Sequence, residues 1–591
     1  MMKSKILLTS CILGVFLLLH SCKDYLDRTS GQVVSEEDVF GTFENFQGFI
    51  EPMYSLIIDY NSHALTTSMN IGGEIIAAQG WSSGDRARLG GYEGWIGGGN
   101  TPILQSNFWS TEKNKIGNND SGIWVDSWRG IRIANLALAR LDQLTDATQE
   151  EKDLIAGQAH FFRGWFHFEL GRYYGGMPYV DQYLLPADDL QLPRLTWHEM
   201  AERIVADLDM AADLLPEDWN QTAVGAQFGG GNAGRITRGA ALGFKAKTLL
   251  YAGSPLMNRF SNGPTDFDQQ YMERAAEAAW EVIQIANRGV YSLTPFNEYN
   301  LMFARNDGLI PWSKETIFQK VRPEKGEGEH LNKHGRLMTP GRLGGNNICE
   351  TVNQLYVDRF EMRDGSIYRT EYDQDNARRW DDRDPRFRNA IYVDRDVAGI
   401  LPITTLEFFT GGMDDNSSII TPYVCHKFWP VGVNNRDQAW SEYRYVTPHL
   451  RLAEIYLIYA EAVNEASGAT GRAEGANLTA VDAVNIVRAR AGMPPVTAAA
   501  TGYESFRELI RNERWVELCF EGQWFSDIRR WNVAHLPEYK PYVDLVFDRN
   551  WTSFTRQVVA ERVFENPRHY WMPIPRSQTQ LYLEFGQNPG W

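Results

Sequence analysis

Leu452, Ile455, Tyr456, Tyr459, Ala460 and Val463 recur at i, i+3, i+4 and i+7, a spacing that only an α-helix turns into one continuous apolar face. Glu454, Glu461 and Glu465 fall off that face. A stripe of this breadth has to be covered by neighbouring helices, so it predicts a central amphipathic helix over 449–467. The same grammar predicts helices over 478–491, stopped by Gly492, Pro494 and Pro495, and over 503–521, stopped by Gly522. Further upstream it predicts a broad aromatic face on Phe162, Trp165, Phe166, Leu170 and Tyr173, and helices over 196–215, 237–254 and 269–288. Gly239, Ala240, Gly243 and Ala246 would let the helix of 237–254 approach a neighbour closely. The expected class is mainly α: a tetratricopeptide-like solenoid of helix pairs joined by long loop-rich insertions.

Those insertions cover about 61–122, 218–234, 292–348 and 365–448, and they are dense in Gly, Asn and aromatics. Loops so long are usually functional, and their aromatic content argues against disorder. The chain as a whole is 43% apolar and 23% charged, a globular composition. Its formal charge is −17, and −19 without residues 1–21, whose only charges are Lys3 and Lys5. Such a surface repels phosphate backbones and excludes nucleic acid as an expected partner.

Lys3 and Lys5 precede the apolar run Ile6 to Leu19, short for a bilayer span and matched to a secretory leader. The run ends in Leu19-His20-Ser21-Cys22, which resembles a bacterial lipobox with His20 as an imperfect second position. Cys22 is therefore the expected acylation site, and cleavage elsewhere as an ordinary signal peptide is the alternative. Beyond it only Cys349, Cys425 and Cys519 remain, too few for a disulfide framework and spaced for no metal motif. Cys519 is expected as a buried structural thiol without a basic neighbour.

Several longer segments are recognisable together. They are Cys22-Lys23-Asp24-Tyr25-Leu26-Asp27, Ala159 to Trp165 with Leu170 to Pro178, and Arg238 to Pro255. In the C-terminal half they are Arg451 to Ala462, Val487 to Pro494, Asn512 to Gly522, Asp527 to Trp531, Pro573-Ile574-Pro575 and Gln587 to Trp591. In this order they resemble the SusD/RagB family over nearly the whole mature chain. The resemblance implies a leader over 1–21, an N-terminal region over 22–230 and a C-terminal region over 231–591, forming one integrated globular unit. It further implies a surface lipoprotein of the outer membrane of Bacteroidetes that lids a SusC-like TonB-dependent transporter and captures glycans, or in some members peptides. It implies no catalytic activity and no cofactor.

Gly229-Gly230-Gly231-Asn232-Ala233-Gly234 has a formal GxGxxG spacing, but no strand precedes it and no acid follows about 20 residues on, so a flexible loop is expected. His330 and His334 have helical metal spacing without a convincing helix. Asp373 with Asp375, Asp381 with Asp382 and Asp384, and Asp414 with Asp415 follow no EF-hand pattern; solvated turns are expected, with structural calcium as the alternative. No GxSxG, HExxH or GxxxxGK[ST] occurs and no carboxylate pair stands out as a glycosidase centre, which leaves an anchored hydrolase as the less favoured alternative to a glycan or peptide binder. The informative feature is Trp81, Tyr92, Trp95, Phe108 and Trp109, interleaved with Asp85, Arg86, Arg88, Asn100 and glycines. Indole and phenol faces pack on the C–H face of a sugar while amides and charges meet its hydroxyls; the alternative is that these rings pin the loop to the helices. The expected ligand residues are Trp81, Tyr92, Trp95, Asn100 and, from a second loop, Trp312. Tyr299 is a weaker candidate and Trp429 and Trp440 weaker still, whereas Trp124 and Trp128 sit at helical spacing and are expected in the core.

Overall fold

The computed structural model describes residues 36–60, 68–77, 87–91, 122–227, 231–321, 340–344, 349–415, 419–433, 442–497, 502–580 and 583–591. Eight long helices organise them: α1 Ile123–Arg140, α2 Gln149–Tyr174, α3 Trp197–Leu214, α4 Arg238–Ala252, α5 Gln269–Asn287, α6 Leu452–Ser467, α7 Ala480–Arg490 and α8 Tyr503–Leu518. Each packs on the next from α1 to α6, and α6 then takes both α7 and α8. The fold is mainly α, as the periodicity predicts.

Local chemistry sets most helix starts. Thr148 receives the Glu151 amide while Glu151 reaches back to the Thr148 N–H, and Thr196 with Glu199 and Thr479 with Asp482 repeat this capping box at α3 and α7. Thr237 and Asp268 cap α4 and α5 through their side chains. Gly243 shows why α4 needs small residues: a Cβ there would lie 2.4 Å from Leu450 and 3.2 Å from Ile455. Among the described residues no helix is long and apolar enough to cross a membrane.

The centre of the row differs in kind from an ordinary amphipathic helix. Helix α6 is buried on its charged side as well, because distant bases cover it. Lys247 Nζ lies 2.9 Å from Glu454, Arg530 grips Glu461 at 2.5 and 2.7 Å, and Arg507 reaches Glu465 at 2.6 Å. Arg451, at the N-cap, is buried against Glu315, Glu517 and Glu521.

The insertions form structure of their own. Ile75–Ala77, Glu350–Val352, Val424–Cys425 and Ile391–Tyr392 assemble, in that order, into an antiparallel four-stranded sheet. Thr316–Gln319 pairs with Pro448–Arg451, just ahead of α6. Phe318 on that strand enters the aromatic core, 5.5 Å from both Trp165 and Phe244. At the far end of the chain Asn588 donates to the carbonyls of Tyr174, the last residue of α2, and Met572, at 2.9 and 2.7 Å.

Candidate ligand site around Trp312

Trp312 sits immediately before the strand that Phe318 anchors, so its position is inherited from the core. Ser313 beside it accepts from Thr294 Oγ1 at 2.9 Å and from the Glu315 N–H at 3.2 Å, and Glu315 accepts the Thr294 N–H at 2.8 Å. The indole itself is half-buried and walls a cavity of about 410 Å³.

Three further segments complete the cavity. Trp219, in the short helix Trp219–Gln221 after α3, is buried with its Nε1 donating to the Ile236 carbonyl at 2.6 Å. Tyr291, following α5, is buried and shares a 2.8 Å hydrogen bond with Thr237; burial raises its hydroxyl to about 12, so it stays protonated. Asn232 donates to Asn220 Oδ1 at 2.9 Å and to the Gly225 carbonyl at 2.8 Å, tying the glycine turn to the first segment. Two rim charges are already neutralised, Glu217 by Arg288 and Arg235 by Glu51. The result is three aromatic residues with amides, hydroxyls and the side chains of Asp218 and Lys314 around them, suited to a polyhydroxylated ligand.

The turn at Gly231–Gly234 is a wall, where the sequence suggested a flexible loop. Ala233, Gly234 and Arg235 face this cavity on one side and a smaller one of about 210 Å³ on the other. Gly234 has φ +91°, and a Cβ there would lie 2.3 Å from Val321 Cγ2. Arg235 stacks between Tyr54 and Trp219, with 5.3 and 5.7 Å from its guanidinium to the ring centres.

Of the expected ligand residues, Trp312 lines the cavity; Trp81, Tyr92, Trp95 and Asn100 lie outside the described residues, as do Cys22, His330, His334 and Trp440. Tyr299 is not a ligand residue: it is buried and its hydroxyl donates to the Glu517 carbonyl at 3.0 Å. Trp429 is likewise buried, packed edge-on to Tyr443 at 5.4 Å. Trp124 is core, but Trp128 is half-buried and borders a separate cleft. Trp219, Tyr291, Asn220 and Asn232 were missed, because they converge from three separate stretches of chain; two asparagines in the glycine-rich 218–234 were the available signal.

Three of the seven carboxylates expected in solvated turns are instead held by bases. Asp373 is buried against Arg556 at 2.6 Å, Asp384 against Arg386 at 2.7 Å, and Asp414 against Arg342 at 3.2 Å, while Asp381 and Asp382 are exposed. Among the described residues no group of three or more His, Cys, Asp or Glu side chains could hold a metal ion. Cys349, Cys425 and Cys519 are buried and free. Cys519 does have a basic neighbour, Lys427 Nζ at 4.0 Å, but that amine is bound to Glu521 at 2.6 Å and burial pushes the thiol up to about 12.

The helical row with sheet-forming insertions is the architecture of known proteins. A SusD-like protein from Bacteroides fragilis superposes with a TM-score of 0.70 at 23% identity, over 94% of this chain and 99% of that one. A SusD-like carbohydrate binding protein from the same species gives 0.66 at 20% identity, over 93% and 100%. Among curated proteins, SusD-like protein P2 of Formosa agariphila is 24% identical over 88% of this chain and 90% of its own. The model described as "SusD family" matches residues 314–591, and one described as "Starch-binding associating with outer membrane" matches 76–250. The chain belongs to the SusD/RagB family.

Proposed function

We propose that this protein is a surface glycan-binding lipoprotein of the outer membrane, anchored through acylated Cys22, which captures oligosaccharides and lids a SusC-like TonB-dependent transporter without cleaving its cargo. The observation that carries the proposal is the Trp312 cavity: aromatic faces set by the core, with amides, hydroxyls and charges of both signs at its rim. The description of one matching family model as starch-binding and outer-membrane-associated, and of a structural neighbour as carbohydrate binding, supports the same reading. Trp81, Tyr92, Trp95 and Asn100 are proposed to contribute further ligand contacts.

The test is a glycan array with the soluble Cys22→Ala chain, followed by calorimetry on the glycan retained. Trp312→Ala should then lose about 1–2 kcal/mol of binding, roughly ten- to thirtyfold in affinity, with melting temperature unchanged. Parental affinity in this variant would refute the cavity as the site. New reducing ends after incubation would refute binding without cleavage, and retention of peptides alone would shift the ligand to an oligopeptide.

A further inference from the structure

Trp128, Ile131, Arg132 and Asn135 occur at i, i+3, i+4 and i+7 on one face of α1, and the strap formed by 180–190 crosses that face. Between helix and strap lies a cleft of about 360 Å³, within the size range of small-molecule sites and sharing no lining residue with the Trp312 cavity. It is preformed. Asn135 donates to the Val180 carbonyl at 2.8 Å, and Arg132 donates to the Leu184 carbonyl at 3.2 Å and to the Tyr183 hydroxyl at 3.1 Å. The Arg132 guanidinium also lies 4.7 Å from the Tyr183 ring centre, so the strap is tied to the helix over 180–184.

The walls are chemically unlike the Trp312 cavity. They are built from Ile131, Val180, Leu184 and Pro186, with Leu185 and Leu190 at the mouth, 50% and 57% exposed. Trp128 packs edge-on against Trp124 and His167, at 5.9 and 6.1 Å, while remaining half-buried. A sugar here would leave hydroxyls facing aliphatic carbon, which is unfavourable. Among the described residues, Arg132 is the one ionic residue of the lining, and no Asp or Glu lines the cleft. The strap's own carboxylates are engaged elsewhere: Asp188 accepts the Leu185 N–H, Asp189 the Gln191 N–H, and Asp181 pairs with Arg203.

We infer that this cleft is a second binding site, for a planar aromatic group bearing a carboxylate, which lies between Trp128 and the aliphatic wall and directs its charge to Arg132. The inference stands apart from the glycan proposal, because neither site contributes a residue to the other.

The probe is 2-naphthoate, titrated into the full chain by calorimetry, with 2-naphthylmethanol as the uncharged counterpart. One-to-one saturable binding is expected, with naphthoate favoured. Leu185→Glu and Leu190→Glu, at exposed positions that leave folding intact, should each weaken naphthoate at least about tenfold by placing a like charge at the mouth. Arg132→Gln should remove the preference for naphthoate over the alcohol, and Trp312→Ala should leave naphthoate binding unchanged. Absence of saturable binding, equal affinity for both probes in the parent chain, or unchanged binding in both glutamate variants would overturn the inference. So would glutamate variants that alter only the sedimentation coefficient, which would make the cleft a surface for self-association.

Discussion

Glu461→Gln tests whether the charged side of α6 is structural. Glu461 is fully enclosed, accepting from Arg530 Nη1 and Nη2 at 2.5 and 2.7 Å and from Trp531 Nε1 at 2.7 Å, with Arg514 Nε 3.6 Å away. An amide keeps the shape but removes the charge and turns an N–H₂ toward a guanidinium N–H. Breaking a buried pair in this way costs about 3–5 kcal/mol. Asp527, 2.8 Å from Arg530 Nε, still offsets part of the stranded positive charge, which places the expectation near the lower end, about 3 kcal/mol. Burial alone would raise the Glu461 pKa; the charge and hydrogen bonds of Arg530, aided by Arg514, outweigh it and hold the carboxyl below its usual range. The resulting stability is therefore present above the unfolded-state carboxylate pKa and lost as pH falls through the lower folded value. Urea denaturation followed by tryptophan fluorescence should show the full deficit of the variant at pH 7 and a narrowing gap in acid. The double variant Glu461→Leu/Arg530→Met should be more stable than the sum of its single changes predicts, by about 2 kcal/mol or more. A single-variant deficit under about 1 kcal/mol at pH 7 would refute the reasoning.

Gly234→Ala should destabilise the protein by about 1–2 kcal/mol, because a side chain at that positive φ is strained and meets Val321, and glycan affinity should fall with the displaced wall. Calorimetry and thermal melts check both, and an unchanged melt would show that Val321 yields freely. Glu74 is buried, which raises its carboxyl to about 8 against the partial compensation of the Phe520 N–H. Between the ordinary glutamate pKa and about 8 the folded state keeps a proton that the unfolded chain sheds, so this group makes stability fall as pH rises through that window. Glu74→Gln should remove that component, so its melting temperature should rise relative to the parent from pH 5 to pH 8; parallel curves would refute the assignment.

What was legible in the sequence is what is local. The apolar spacing of α6 and the Gly492 that follows α7 fix helices from neighbours in the chain. The burial of Glu454 and Glu461 was not legible, since Lys247 and Arg530 come from distant positions. The site follows the same division. Trp312 stood out as an indole in a loop-rich stretch, whereas Trp219 and Tyr291 acquire their role only where four chain segments meet. Tyr299 misled because its surroundings read as loop, while the helical turn Phe296–Met302 packs it inward.

The bond from Asn588 to Tyr174 spans 414 residues of chain. Closing a flexible loop of that length would cost about 5 kcal/mol in chain entropy, several times the roughly 1 kcal/mol a single hydrogen bond returns. The bond therefore cannot nucleate anything; it forms only after the helices between have folded and brought the two ends near. Its contribution belongs to the downhill side of the folding barrier, so weakening it would quicken unfolding and leave the folding rate almost untouched. Asn588 contributes to how long the native state persists rather than to how fast it is reached.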